Sequence, residues 1–350
     1  MSARSTLLFR LAALAAAIAA PAATSVRADD LRLEAASLPA PMLDASGQFD
    51  LLLEASGVQP IGDGHRLLVA HDKHPALYVV ESATGRILGA PITSPHFPAA
   101  SKLGGPKWEG MARDGEGNYY LIGAHVGKSD EERASKSVLI RFRLAESDQP
   151  AIDDASIVRW DIARSLVAAL KADGLDDKAI AKRKIEGLAL RDSRTVDGRA
   201  RRELLIGLRA PHDKVRVFAA EVTSAAPGSE LDLKPAFSFD AGKREGVTCE
   251  LTALEYDPVL GGSLIVTASE DDNNAFHGNT LWFVADEEPI HARKVGVFEV
   301  AMKAEGLTVL SVEKTGNRIA AKLLITFDND PHATKIPSRF QTATLVREAD

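Results

Sequence analysis

The stretch Lys107–His125 reads KWEGMARDGEGNYYLIGAH. Its opening K-x-E-G, followed by an apolar residue, returns as KIEGL at 184–188 and as KAEGL at 303–307. The residues after each copy are also alike: a short alternating segment, a turn rich in Gly, Asp and Asn, then an apolar β-type run such as YYLIGA, LLIGL or LLITF. Alternation joined by turn chemistry of this kind predicts a hairpin. Two further units share the plan without the full frame, SGVQPIGDGHRLLVAHD at 56–72 and TALEYDPVLGGSLIVTASED at 252–271. Ser56 and Thr252 stand there where Glu109, Glu186 and Glu305 stand in the other three.

Each hairpin is succeeded by a third strand-like run (ALYVVES, SVLIRFRL, KVRVFAAEV, NTLWFVAD, TATLVRE). All but the last lead into a fourth (GRILGAPI, SIVRWDI, KPAFSFDA, KVGVFEV). Units of four antiparallel strands, starting near 56, 109, 186, 252 and 305, predict an all-β fold, a β-propeller of five blades, or of six if the N-terminal segment builds one of its own. A two-layer sandwich would explain regularly spaced strands but not a frame repeated at the head of each unit. The last unit lacks a fourth strand, which DDLRLEAA or FDLLLEA near the N-terminus could supply, closing the ring and hiding a sheet edge. The longest gap between units holds DIARSLVAALKADGLDDKAIAKRK, whose helical periodicity with a break at ADG predicts a helical hairpin around 161–184.

Residues 1–28 form a separate object. Arg4 and Arg10, an apolar run over Leu11–Ala20 and small residues up to Ala28 make the pattern of a secretory signal peptide, so the expected location is periplasmic or secreted. The run is too short to span a bilayer, and residues 29–350 would form a single propeller domain. A formal charge of −7, more acidic still without the leader's arginines, argues against a nucleic-acid partner. The single cysteine, Cys249, cannot close an internal bridge, so the fold must rest on packing, with Cys249 expected as a buried, inert thiol.

The E-G frame opening the innermost strand of a blade, with a D-G turn after it, resembles exported phytase-like β-propellers, most closely an uncharacterised bacterial family related to them. The likeness covers roughly residues 50–346 and rests on KWEGM, KIEGL, KAEGL and LTALEYDP. It implies calcium-assisted hydrolysis of phosphoesters or related esters, with Lys107, Arg209, Lys335 and Arg339 available for phosphate oxygens.

The residues themselves suggest an axial site. Alternation along a strand puts Lys107, Lys184 and Lys303 on the same side as Glu109, Glu186 and Glu305. These pairs could surround an ion or anionic ligand, or act as ion pairs between blades. Glu109, Glu186 and Glu305 around one axial metal would also suit lactone or sugar-ester hydrolysis. Second-strand ends add His71-Asp72-Lys73, His125, Arg209 and two oxygen-rich stretches, in which Asp271, Asp272 and Asn274, or Asp328 and Asp330, are candidate calcium ligands. Asp and Asn also dominate plain turns. The HDKH stretch at 71–74 lacks a third zinc ligand, and there is no G-x-S-x-G elbow or complete P-loop. The competing reading is a non-enzymatic binding or scaffold propeller of the cell envelope, presenting its loop face to a small-molecule or polymer ligand.

Overall fold

The structure is a computed structural model that describes residues 31–36, 40–41, 53–97, 106–145, 149–194, 200–271, 273–286, 289–298, 302–328 and 338–348. The expected signal peptide lies outside these residues. Five antiparallel sheets succeed one another along the chain, with innermost strands Ala55–Ile61, Trp108–Arg113, Lys184–Arg194, Val247–Asp257 and Lys303–Thr315. We call these sheets blades 1 to 5. Successive innermost strands pack on one another and the fifth returns to the first, so the described residues form a five-bladed propeller.

Ring closure uses the first N-terminal candidate. Leu31–Ala36 pairs antiparallel with Arg339–Glu348, Leu31 opposite Arg347 and Ala36 opposite Ala343, and becomes the outer strand of blade 5. Of the other candidate, FDLLLEA, residues 49–52 lie outside the described set. Blade 1 departs from the expected plan. GRILGAPI makes only two isolated bridges to the third strand, Ile87 to Val80 and Ile92 to Leu77, so that blade has three regular strands. Gly89, with a positive φ, and Pro91 sit between the two bridges and interrupt the ladder.

The core is divided among the seams. Each of five apolar clusters joins two neighbouring blades: 1 with 2, 2 with 3, 3 with 4, 4 with 5, and 5 with 1 through Leu324 and Phe340 against Val58, Leu67 and Tyr78. An inner strand is covered on both faces and reads as a nearly continuous apolar run, as in Asn118–Gly123, where every residue is buried. An outer strand has a wet face, as in Leu233–Phe239.

Blade 2 contains a short helix that periodicity does not announce, α1 (Asp130–Lys136). Its start is capped in the manner of a capping box shifted by one residue: Ser129 Oγ accepts from the Glu132 amide, and Glu132 Oε2 accepts from the amide of Lys128, just before the N-cap. The G-K-S before it is thus helix-entry chemistry. The predicted helical hairpin is present as α2 (Ala163–Ala172) and α3 (Asp177–Ala181), separated at Asp173-Gly174. It is more than a surface decoration. Leu166, Leu170 and Ile180 are buried in the cluster between blades 2 and 3.

Candidate functional site

The heads of the five innermost strands meet around the axis. A Cβ added to Gly57 would stand 3.0 Å from Met111 N, one on Gly110 2.8 Å from Leu188 N, and one on Gly187 2.8 Å from Leu254 Cβ. The glycine of the frame is therefore a packing requirement, set by the approach of the next blade's backbone. Between the strands, on the axis, lies a cavity of about 10 Å3, lined in part by Ser56, Glu109, Glu186 and Glu305, room for about one water.

The packed small residues Gly57, Gly110, Gly187, Ala253 and Gly306 align the five strand heads and expose a regularity absent from the sequence reading. Two positions before the frame's third residue stand Glu54, Lys107, Lys184, Glu250 and Lys303. Where the third residue is a glutamate, a lysine precedes it; where it is Ser56 or Thr252, a glutamate does. The signal was visible in EASG and ELTA, written with the charge exchanged.

Side chains at this mouth form a branching chain of ion pairs. Lys107 Nζ lies 3.0 Å from Glu109 Oε1 and 3.1 Å from Asp72 Oδ1 of blade 1. Lys184 Nζ reaches Glu109 Oε1 at 3.4 Å and also contacts Glu186 of its own blade. Arg209 gathers three carboxylates, Glu186 at 3.0 Å, Glu250 at 2.6 Å and Glu270 at 2.9 Å, spanning blades 3 and 4. Lys303 closes on Glu305 at 2.5 Å and Glu270 at 3.4 Å. Lys73 holds Glu54 at 2.8 Å. The structure thus brings together Glu109, Glu186, Glu305, Lys107, Lys184, Lys303 and Arg209, and adds Glu54, Asp72, Glu250 and Glu270.

Burial and neighbours push these groups in different directions. Burial raises Glu109 to about 7 against the pull of Lys107 and Lys184. Glu186 is as deeply buried, yet Arg209, Lys184 and Lys303 outweigh the burial and hold it well below the usual carboxylate range. For Lys107, burial works to lower the ammonium's pKa, but Glu109 and Asp72 hold it well above its ordinary value.

His125 stands at the end of the second strand of blade 2. It is buried, its φ is +55°, and neither ring nitrogen has a hydrogen-bond partner. Burial, with Arg183 nearby, lowers its pKa to about 3, so the ring is neutral. Its strand neighbour Lys107 is also left-handed, at φ +51°, and accepts the Ala124 amide through its carbonyl. Non-glycine residues held there are strained.

Below the mouth, Gln59 of blade 1 crosses the axis. Its Nε2 donates to Met111 O of blade 2 at 3.1 Å and to Glu255 Oε2 of blade 4 at 2.8 Å, and Thr308 of blade 5 donates to its Oε1 at 3.4 Å. Burial raises Glu255 to about 7. Gln59, Glu255 and Thr308 each stand three residues after the frame's third position, where blades 2 and 3 carry Ala112 and Ala189.

Among the described residues, the calcium candidates serve their own turns and strand ends. Asp271 Oδ1 accepts the amides of Asn273 and Ala275 and so caps its own turn. Asp328 Oδ1 accepts from Ser338 at 3.3 Å. Asp272, Asp330 and Lys335 lie outside the described residues. Among the described residues no group of three or more His, Cys, Asp or Glu is arranged to hold a metal ion. His71 Nδ1 accepts the Lys73 amide at 3.0 Å and its ring meets that of His74 edge-on. Cys249 is buried, as expected.

No family model matches the chain and no curated protein matches it. Similar solved structures include the hydrazine synthase of Kuenenia stuttgartiensis, at 10% identity over 82% of this chain and 80% of that one, TM-score 0.37. A GH43 endo-arabinanase from Bacillus licheniformis matches at 11% identity over 86% and 95%, TM-score 0.36. A streptogramin B lyase matches at 7% identity over 91% and 98%, TM-score 0.34. Likeness at this level says nothing of substrate or reaction.

Proposed function

We propose that this chain is an exported binding propeller of the phytase-like kind, which takes its ligand on the face where the innermost strands begin. The observation that carries this reading is the mutual engagement of the mouth charges. A calcium site needs carboxylate oxygens free to coordinate, and a phosphoester site needs cations free to hold phosphate. Here Glu109, Glu186 and Glu305 each give an oxygen to a lysine, leaving Glu186 Oε2 without a hydrogen-bond partner, and Lys107, Lys184, Lys303 and Arg209 are each held by carboxylates. In this reading the frame fastens blades to one another and supplies a rigid rim. Export is supported by the pattern of residues 1–28.

A second reading, ester hydrolysis, draws on Glu109. A buried carboxyl with a pKa of about 7 between two lysines has the properties of a general acid or base. One experiment separates the two. The protein is unfolded thermally in EDTA and in excess calcium, beside Glu109→Gln, Glu186→Gln and Glu305→Gln, and phosphate release from phytate and aryl phosphates is measured. The binding reading expects the same melting temperature with and without calcium and no calcium-dependent release. A calcium-dependent rise lost in the glutamine variants, together with hydrolysis, would overturn it.

A further inference from the structure

Repetition also shows where a blade leaves space. From the frame glycine, the cross-strand neighbours run Gly110, Ile122, Leu139, Trp160 in blade 2 and Gly187, Gly207, Val217, Phe237 in blade 3, so Phe237 answers to Trp160. In the same way Ala219, opposite Leu205, answers to Arg141, opposite Tyr120. In blade 2 the Arg141 guanidinium lies over the Trp160 ring, 5.9 Å from its centroid. In blade 3 the alanine leaves a cleft of about 430 Å3 against blade 4, with apolar walls from Ala219, Phe237, Ala285 and Ile290. Its charges stand in pairs of opposite sign. Arg191 lies 2.9 Å from Glu203 and 3.3 Å from Asp286, and Arg201 lies 2.8 Å from Glu203 and 3.5 Å from Glu221. An exposed Asp232–Lys234 pair at 3.3 Å completes the charged lining. The Arg201–Glu221 contact is the longest of these, between side chains 40% and 44% exposed.

We propose that this cleft binds a free α-amino acid with an apolar side chain, its carboxylate on Arg201, its ammonium on Glu221 and its side chain against Ala219, Phe237 and Ile290. Three features carry it. The cleft falls within the roughly 300–1,000 Å3 of small-molecule sites and, like them, joins apolar walls to a few polar groups. A lining of alternating sign opposes a ligand of one charge, since each attractive group has a repulsive neighbour, whereas a zwitterion meets both signs. An exposed ion pair as long as Arg201–Glu221 holds itself together weakly, so its two members exchange each other for the ligand's ends at little loss, and the guanidinium fork suits a carboxylate. The other pairs stay in place and join blade 3 to blade 4 through Arg191 and Asp286. Arg191 stands five residues beyond Glu186 on the innermost strand, so the cleft lies away from the axial mouth and is a second site.

The test is calorimetric titration of the full chain with L-leucine, beside L-leucinamide, which lacks the carboxylate, and N-acetyl-L-leucine, which lacks the ammonium. The expected result is saturable binding of L-leucine, with each analogue weaker by about tenfold or more, the loss of one charge-assisted contact. Glu221→Gln should weaken L-leucine binding by a similar factor, about tenfold or more. Ala219→Arg gives blade 3 the residue that blade 2 carries at this place, and should fill the cleft and abolish binding. Should that variant lower the melting temperature, Glu221→Gln, at a side chain 44% exposed, carries the mutational test alone. No saturable binding of L-leucine, equal binding of either analogue, or unchanged affinity in Glu221→Gln would overturn the proposal. Its failure is separate from that of the reading of the mouth, which is tested with calcium and phosphoesters.

Discussion

The mouths of blades 2 and 3 are built from the same four-residue frame and end in opposite electrostatic states. Glu109 and Glu186 both stand two residues after a lysine, precede a glycine pressed against the next blade, and are almost completely buried. Glu109 is pushed up to about 7, whereas Glu186 is held well below the carboxylate range. The largest difference is Arg209, which comes from the second strand of blade 3 and contacts Glu186, with Lys303 adding to it; Glu109 has two lysines, opposed by Asp72 and Glu186. A repeated motif thus fixes where a carboxylate sits, and a residue outside the motif decides whether it is ionised.

The severest way to break the comparison is to remove Arg209. Arg209→Ala would leave Glu186, Glu250 and Glu270 without it, and a broken buried ion pair costs roughly 3–5 kcal/mol. Urea unfolding should show the loss. Destabilisation below about 1 kcal/mol would mean that water already screens the cluster.

Gly110→Ala tests the geometry both glutamates share. Its Cβ would lie 2.8 Å from Leu188 N, a backbone atom that cannot rotate away, and overpacking of this kind costs about 1–3 kcal/mol. An unchanged denaturation midpoint would show that the seam between blades 2 and 3 can open.

Glu186→Gln should cost less than Arg209→Ala, because Arg209 keeps Glu250 and Glu270 and Lys184 keeps Glu109. About 1–3 kcal/mol at pH 7 is expected for the lost charge-assisted bonds. The sign with pH is set by the direction of the shift. A carboxyl whose folded pKa lies below its ordinary 4.5 contributes stability that is present above that value and lost as pH falls through the folded pKa. Melting temperatures measured downward from pH 5 should therefore fall less steeply in Glu186→Gln than in the parent.

Glu109→Gln should show the smallest effect and the opposite slope. A folded pKa of about 7 against an ordinary 4.5 means that the folded state keeps a proton the unfolded chain releases. This group's contribution to stability therefore declines as pH rises from 4.5 to 7. Glutamine removes that decline, so the variant should match or exceed the parent at pH 8. Glu255, also raised to about 7, acts over the same window, so Glu255→Gln is needed beside it to divide the slope. A parent curve flat between pH 4.5 and 7, unchanged in both variants, would refute the assignment.

Much of the architecture was legible in the chain. The frame at Glu109, Glu186 and Glu305 marked three innermost strands, and the turn chemistry and apolar runs around Ser56 and Thr252 marked the other two. The missing outer strand of blade 5 pointed to the N-terminus, where Leu31–Ala36 does pair. The outer strand of blade 1 was over-read: RILGAPI has the composition of a strand, but Gly89 and Pro91 limit it to bridges. α1 escaped notice because seven residues give little periodicity to detect; its capping pair, Ser129 and Glu132, was the available signal.

The site was legible only in part. Repetition exposes whatever every blade needs, so the residues at the head of each innermost strand could be found from sequence. By itself the sequence determined the strand order, the glycine after each frame glutamate and the lysine two residues ahead of it. The tertiary structure decided the rest: that Arg209, with the lysines behind it, holds Glu186 ionised, and that Gln59 reaches Glu255 across the axis. Equivalent positions of the repeat carry these residues to the axis, but the repeat does not say which of them touch. The strength of the contacts depends on distance and burial, which arise only when the blades close into a ring.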